Sequence, residues 1–136
     1  MSGEVVHFSL PADNPERARK FYSSIFGWRM DETPGMDYTM VSTGTTDENG
    51  MPKAPGYIGG GIGKRGDHLT HPVVTITVDD ISATEKTIEQ HGGKILQRKQ
   101  AIGDGAMGHT GYFQDSEGNV VALYQAGTIP PGGHPG

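Results

Sequence analysis

Apolar and polar residues alternate through Val5-Val6-His7-Phe8-Ser9-Leu10, with Val6, Phe8 and Leu10 on one side and Val5, His7 and Ser9 on the other. This is the period-two pattern of a half-buried strand. The period then becomes helical. Asp13-Asn14-Pro15-Glu16 offers Asn14 as a cap and puts Pro15 in the first turn, where its missing N–H costs nothing. Ala18, Phe21, Tyr22, Ile25 and Phe26 follow one helix stripe, and Gly27 suits the left-handed position that ends it. The Val6, Phe8 and Leu10 face is expected to pack beneath Phe21, Tyr22 and Ile25, which turns His7 the other way. Further strands are predicted at Trp28–Glu32, Tyr38–Thr43 and Tyr57–Ile62, with a polar loop over Thr45–Gly56.

After a connector at Lys64–Pro72 the order repeats. Val73–Val78 alternates like the first strand, with Val74, Ile76 and Val78 on one face and Val73, Thr75 and Thr77 on the other. Asp80 is placed to cap a helix whose Ile81, Thr84, Ile88 and His91 share a side, and Gly92-Gly93 end it. Strands are predicted at Lys94–Ile102, Thr110–Gln114 and Asn119–Gln125, the last two joined by a tight Asp115-Ser116-Glu117-Gly118 turn. A displacement of 66 positions lays His7 on Val73, Asn14 on Asp80 and Gly27 on Gly93 without a gap. Strand phase, helix start and helix stop therefore repeat together, which points to an internal duplication.

Composition narrows the classes. The 136 residues fit one domain. Cysteine is absent, which excludes disulfides, thiolate metal sites and cysteine nucleophiles. Net charge is −5 with Lys and Arg scattered, so nucleic acid is not an expected partner. No segment has the length and apolarity of a membrane span, and the first residues lack the basic flank and apolar run of a signal peptide. A cytoplasmic location is expected. The 22 glycines suit a strand-rich chain with many turns.

Three segments carry a family resemblance: Val6–Asp13 running on through Glu16–Tyr22 to Phe26-Gly27-Trp28, then Val78-Asp79-Asp80-Ile81, then Phe113-Gln114-Asp115-Ser116-Glu117-Gly118-Asn119. In this order and spacing they resemble the vicinal-oxygen-chelate superfamily, the glyoxalase, bleomycin resistance protein and dioxygenase group. Ser116 stands where proline is usual. The resemblance covers residues 4 to about 126. It implies an α+β fold of two tandem βαβββ modules, 4–65 and 72–126, curled into an incomplete barrel with a central cavity. Residues 127–136 are expected to form a loose tail. Frequent dimerisation is also implied, so a homodimer is expected.

Metal-dependent members of that superfamily place up to four His or Glu ligands on the first and last strands of each module. Carried over, those positions fall on His7, Gly60, Val73 and Ala122, one donor among four. Catalytic zinc sites take three protein ligands as a rule, so the expectation is that no metal or other cofactor is bound. His68, His71 and His109 are read as exposed loop histidines.

Taking His7 as inward-facing, alternation assigns Ser9, Tyr38, Met40, Ile58, Gly60, Thr75, Tyr112, Val120 and Tyr124 to the cavity lining. This mostly apolar lining, with hydroxyls and one imidazole, suits a flat or partly aromatic molecule better than a highly charged one. His7 is the one candidate catalytic residue, because imidazole can transfer protons near neutrality. The run Gly59-Gly60-Gly61 either widens the cavity, admits a ligand to the backbone or bends the strand. Three functions follow: a metal-independent small-molecule binder, a metal-dependent lyase, isomerase or dioxygenase, or an accessory domain. The first asks least of these residues.

Overall fold

In the computed structural model the described residues are 3–32, 38–44 and 58–127. They form β1 (Val5–Ala12), α1 (Pro15–Phe26), β2 (Arg29–Glu32), β3 (Tyr38–Ser42) and β4 (Gly59–Lys64). Then come β5 (Val73–Thr77), α2 (Ile81–Gln90), β6 (Lys94–Ala101), β7 (His109–Gln114) and β8 (Val120–Gln125). The βαβββ order thus occurs twice. The segments Thr45–Gly56 and Thr128–Gly136, read above as loop and tail, lie outside the described residues, as does Tyr57.

The chain divides into two compact units, His7–Val73 and the remainder, with the residues before His7 belonging to the latter. In the first unit the strand order is β2-β3-β4-β1, with β1 parallel to β4 and the other neighbours antiparallel. In the second it is β6-β7-β8-β5, with β5 parallel to β8 and the rest antiparallel. The duplication seen in the sequence extends to the pairing pattern.

The caps form as the sequence suggests. Asn14 Oδ1 accepts from the Arg17 amide at 3.1 Å, and Gly27 takes φ 71° while its amide donates to Ser23 O at 3.0 Å. In α2, Asp80 Oδ1 accepts from the Ala83 amide at 3.2 Å, and Gln125 Oε1 accepts from the Ile81 amide at 2.9 Å. Free amides of the first turn are thereby satisfied from both the cap and β8.

The first core gathers Ala12, Val41 and Ile62, with Phe8, Leu10, Ala18, Tyr22, Trp28 and Met30 packed against it. Complete burial of Ile62 alone contributes about 2 kcal/mol. Only part of the expected helix stripe reaches this core. Phe21 and Ile25 stay 56% and 57% exposed, and Phe26 is also exposed, so Ala18 and Tyr22 are the residues over the sheet. The aromatic side chains instead pack on one another, with Tyr22 stacked on Trp28 at 4.8 Å and Phe26 tilted on Trp28 at 5.8 Å.

The second core is Val78, Ile81 and Leu123, joined by Ile76, Ile88 and Phe113. Glu85 on α2 is buried, which the helix pattern did not suggest. Its Oε2 accepts from the Lys99 amide at 2.8 Å, where the β6 register shifts, and its Oε1 lies 3.6 Å from Arg98. A buried carboxylate is tolerable when it is bonded in this way. His109 opens β7 rather than lying in a loop. Among the described residues no helix is long and apolar enough to cross a membrane.

Candidate functional site

β1, β4 and β3 build the face of the first unit on which His7 lies. Alternation puts His7 and Ser9 on one side of β1, and Phe8 and Leu10 on the side of the core beneath α1. The register pairs Met40 with Gly61 and Tyr38 with Gly63, so Tyr38 and Met40 share the His7 side. The Tyr38 hydroxyl lies 2.7 Å from His7 Nε2 and 3.0 Å from Ser9 Oγ. Ser9 is buried, while His7 and Tyr38 are half-buried. The three side chains make one hydrogen-bonded cluster, with donor and acceptor roles at the imidazole depending on its tautomer.

The glycines of β4 explain how this cluster forms. A Cβ at Gly61 would fall inside the Tyr38 ring, and one at Gly63 would also press on that ring. On the opposite face a Cβ at Gly60 would meet the Phe8 ring. The strand pairs without a bulge on either side, from His7–Gly59 to Ala12–Lys64 and from Tyr38–Gly63 to Val41–Gly60. Gly60 and Gly61 therefore seat aromatic rings on opposite faces and leave no cleft in their own places. Sequence reasoning missed Gly61 and Gly63, although their alternate spacing with Gly59 marks one face.

Two expected lining positions are corrected. Gly60 faces Phe8 and the helix-covered core, not His7. Ile58 precedes β4 and shares the parity of Gly60, and its carbonyl accepts from Thr43 Oγ1 at 2.9 Å. Both have the parity opposite to Gly61, the β4 residue that pairs with Ser9.

In the second unit Thr75 pairs with Ala122, Thr77 with Tyr124, Tyr112 with Ala122 and Gln114 with Val120. Thr75, Tyr112, Val120 and Tyr124 thus share one face, opposite the Ile76, Leu123 and Phe113 core. The Tyr124 hydroxyl donates to Met107 O at 2.7 Å and so holds the preceding turn. Burial pushes the Tyr112 phenol above its ordinary value. It does the same for Tyr124, partly offset by a backbone hydrogen bond from Gly127. Neither is a base near neutrality. Of the other histidines, His71 Nδ1 lies 3.0 Å from Thr70 Oγ1, and His109 has the parity of Phe113, toward α2.

Residues 4–123 match the Glyoxalase/Bleomycin resistance protein/Dioxygenase superfamily. The chain belongs to this superfamily. A glyoxylase-like domain-containing protein of Didymella fabae is 30% identical over 129 residues, covering 90% of this chain and 94% of that protein. Lactoylglutathione lyase of Haemophilus influenzae is 24% identical over 125 residues, covering 90% and 92%. Among solved structures, Streptomyces coelicolor methylmalonyl-CoA epimerase superposes with a TM-score of 0.63 at 10% identity, covering 93% of this chain and 96% of that one. That likeness concerns the fold.

As a superfamily member, the chain can be tested at the family's metal positions. The register corrects one of them. Ala122 pairs with Thr75, the counterpart of Ser9 at the 66-residue displacement, and Ser9 pairs with Gly61. The counterpart of Ala122 is therefore Gly61, not Gly60. The set becomes His7, Gly61, Val73 and Ala122, still with one donor side chain. The place of a side chain at Gly61 is filled by Tyr38. Among the described residues no group of three or more His, Asp or Glu is arranged to hold a metal ion. These residues do not fit a resident divalent metal of the three-ligand kind.

Proposed function

We propose that this glyoxalase-superfamily protein binds a small, partly apolar organic molecule on the face carrying His7, Ser9 and Tyr38, without a resident metal. The observation behind this reading is the His7–Tyr38–Ser9 cluster, standing where the family's chelating residues would begin. It offers hydrogen-bonding groups beside the apolar Met40, the mixture that orients a small ligand. We further propose that the protein is a cytoplasmic homodimer.

A second reading is a metal-dependent lyase, isomerase or dioxygenase of the superfamily, with His7 as a ligand or proton carrier. The likeness to lactoylglutathione lyase favours it, and the single donor at the family positions weighs against it. A surface-acting accessory domain is the third reading, and no particular residue favours it.

The test is a titration of chelator-treated protein with neutral aromatic fragments, followed by amide NMR. Shifts at His7, Ser9 and Tyr38, weakened in His7→Ala, are expected. Binding that appears only after nickel, zinc or manganese is added would contradict the proposal and favour the enzyme.

A further inference from the structure

The exposed flank of α1 is not something the fold requires, because the duplicated unit folds without it. The 66-residue displacement lays Tyr22 on Ile88, and each packs on the core of its own unit. It lays Phe21 on Thr87, Ile25 on His91 and Phe26 on Gly92, and these positions are exposed in both units. The core-facing position is therefore apolar twice, while the solvent-facing flank is apolar only in α1. A contiguous apolar patch kept in water marks an interaction surface.

We infer that this flank is the contact between two copies of the chain, with Phe21, Ile25 and Phe26 meeting their twins about a twofold axis. This assignment rests on the homodimer proposed above and adds the surface that forms it. The rings are already held in place. Phe21 meets Tyr22 edge-on at 5.2 Å, and Phe26 lies 6.1 Å from Tyr22 and 5.8 Å from Trp28. A face ordered before contact loses little side-chain freedom on binding. The cations beside it are largely neutralised within the chain, Lys20 by Glu16 at 3.7 Å and Arg19 by Glu32 at 3.4 Å. Arg17 is exposed one turn before Phe21, where a polar rim can keep it in water. The area is also of the right order. Large side chains more than half exposed offer roughly 100 Å² each, so the three residues and their twins give about 600 Å² of apolar surface. That matches the apolar centre of an interface near the lower end of the roughly 1,200–2,000 Å² that specific contacts bury.

Sedimentation of the full chain tests this against two variants. Phe21→Thr with Ile25→His borrows the residues that α2 already carries at these positions, and Val74→Thr removes an exposed apolar residue elsewhere. The wild type and Val74→Thr are expected to be dimers at micromolar concentration. In the double variant the dimer dissociation constant should rise at least on the order of a hundredfold, as when central apolar anchors are removed. Ser24→Cys supplies a second readout that removes no apolar residue. The chain has no cysteine of its own, so a nitroxide attached there reports this flank alone. Spin–spin coupling between copies is expected, and it should vanish on mixing with excess unlabelled protein. An undiminished dimer in the double variant, equal weakening in Val74→Thr, or a labelled dimer without coupling overturns the interface and leaves the homodimer standing. A wild-type chain that sediments as a monomer at every concentration overturns the homodimer, and this interface with it.

Discussion

The hydroxyl of Tyr38 lies 2.7 Å from Nε2 of His7, so a side chain rooted on β3 ends on β1, two strands away, with β4 passing beneath its ring. Neighbouring strands are about 4.8 Å apart, and a ring can cross the middle one only where that strand carries no side chain. Gly61 and Gly63 provide that crossing.

Tyr38→Phe keeps the ring and removes the bridge. Ser9 is buried and would lose its hydroxyl partner. The expected cost is about 1–2 kcal/mol, measured as a lower urea midpoint with an unchanged slope. An unchanged midpoint would show that the cluster does not hold β3 to β1.

Gly61→Ala places a methyl group in the Tyr38 ring. It should destabilise by about 1–3 kcal/mol through overpacking. Gly66→Ala is the control, because its new Cβ would have no neighbour nearer than Lys64 O at 3.9 Å. In a Tyr38→Ala background the Gly61→Ala cost should shrink, since neighbours sharing one space are non-additive. Equal costs in both backgrounds would refute the ring-seat explanation.

The turn after β7 carries a pH dependence of known sign. The Asn119 side chain, then the Asn119 and Glu117 amides, hold the Asp115 carboxyl below its ordinary value of 3.8. A group lowered on folding stabilises above its unfolded value and loses that contribution as pH falls through the folded one. Carboxyl NMR should therefore place the Asp115 midpoint below 3.8. Asp115→Ala should lessen the loss of stability across that acidic window. A midpoint at or above the ordinary value would contradict the turn geometry.

The fold was legible because its signals are local. Asn14, Gly27, Asp80 and Gly92-Gly93 each mark a helix end through backbone chemistry that needs no partner strand, and their common displacement exposed the duplication. What failed depended on which strands are neighbours. Counting from the longer first turn put Gly60 on the cavity face, while pairing with Phe8 puts it beneath α1. The helix stripe suggested burial of Phe21 and Ile25, but spacing cannot say how wide a strip of α1 the sheet covers. The bond between His7 and Tyr38 was hidden for the same reason. Both were placed on one face, but only the β3-β4-β1 order brings them together across a glycine strand.

The most direct test of metal-independent binding is elemental analysis of protein purified without an affinity tag, alongside His7→Ala. Zinc, nickel, manganese and iron are each expected far below one equivalent per chain, and equally so in the variant. Added metal near its dissociation constant should move the thermal midpoint by no more than about RT ln 2 of stability can produce. One equivalent of a divalent metal in the wild-type protein that disappears in His7→Ala would contradict the proposal and place His7 in a working metal site.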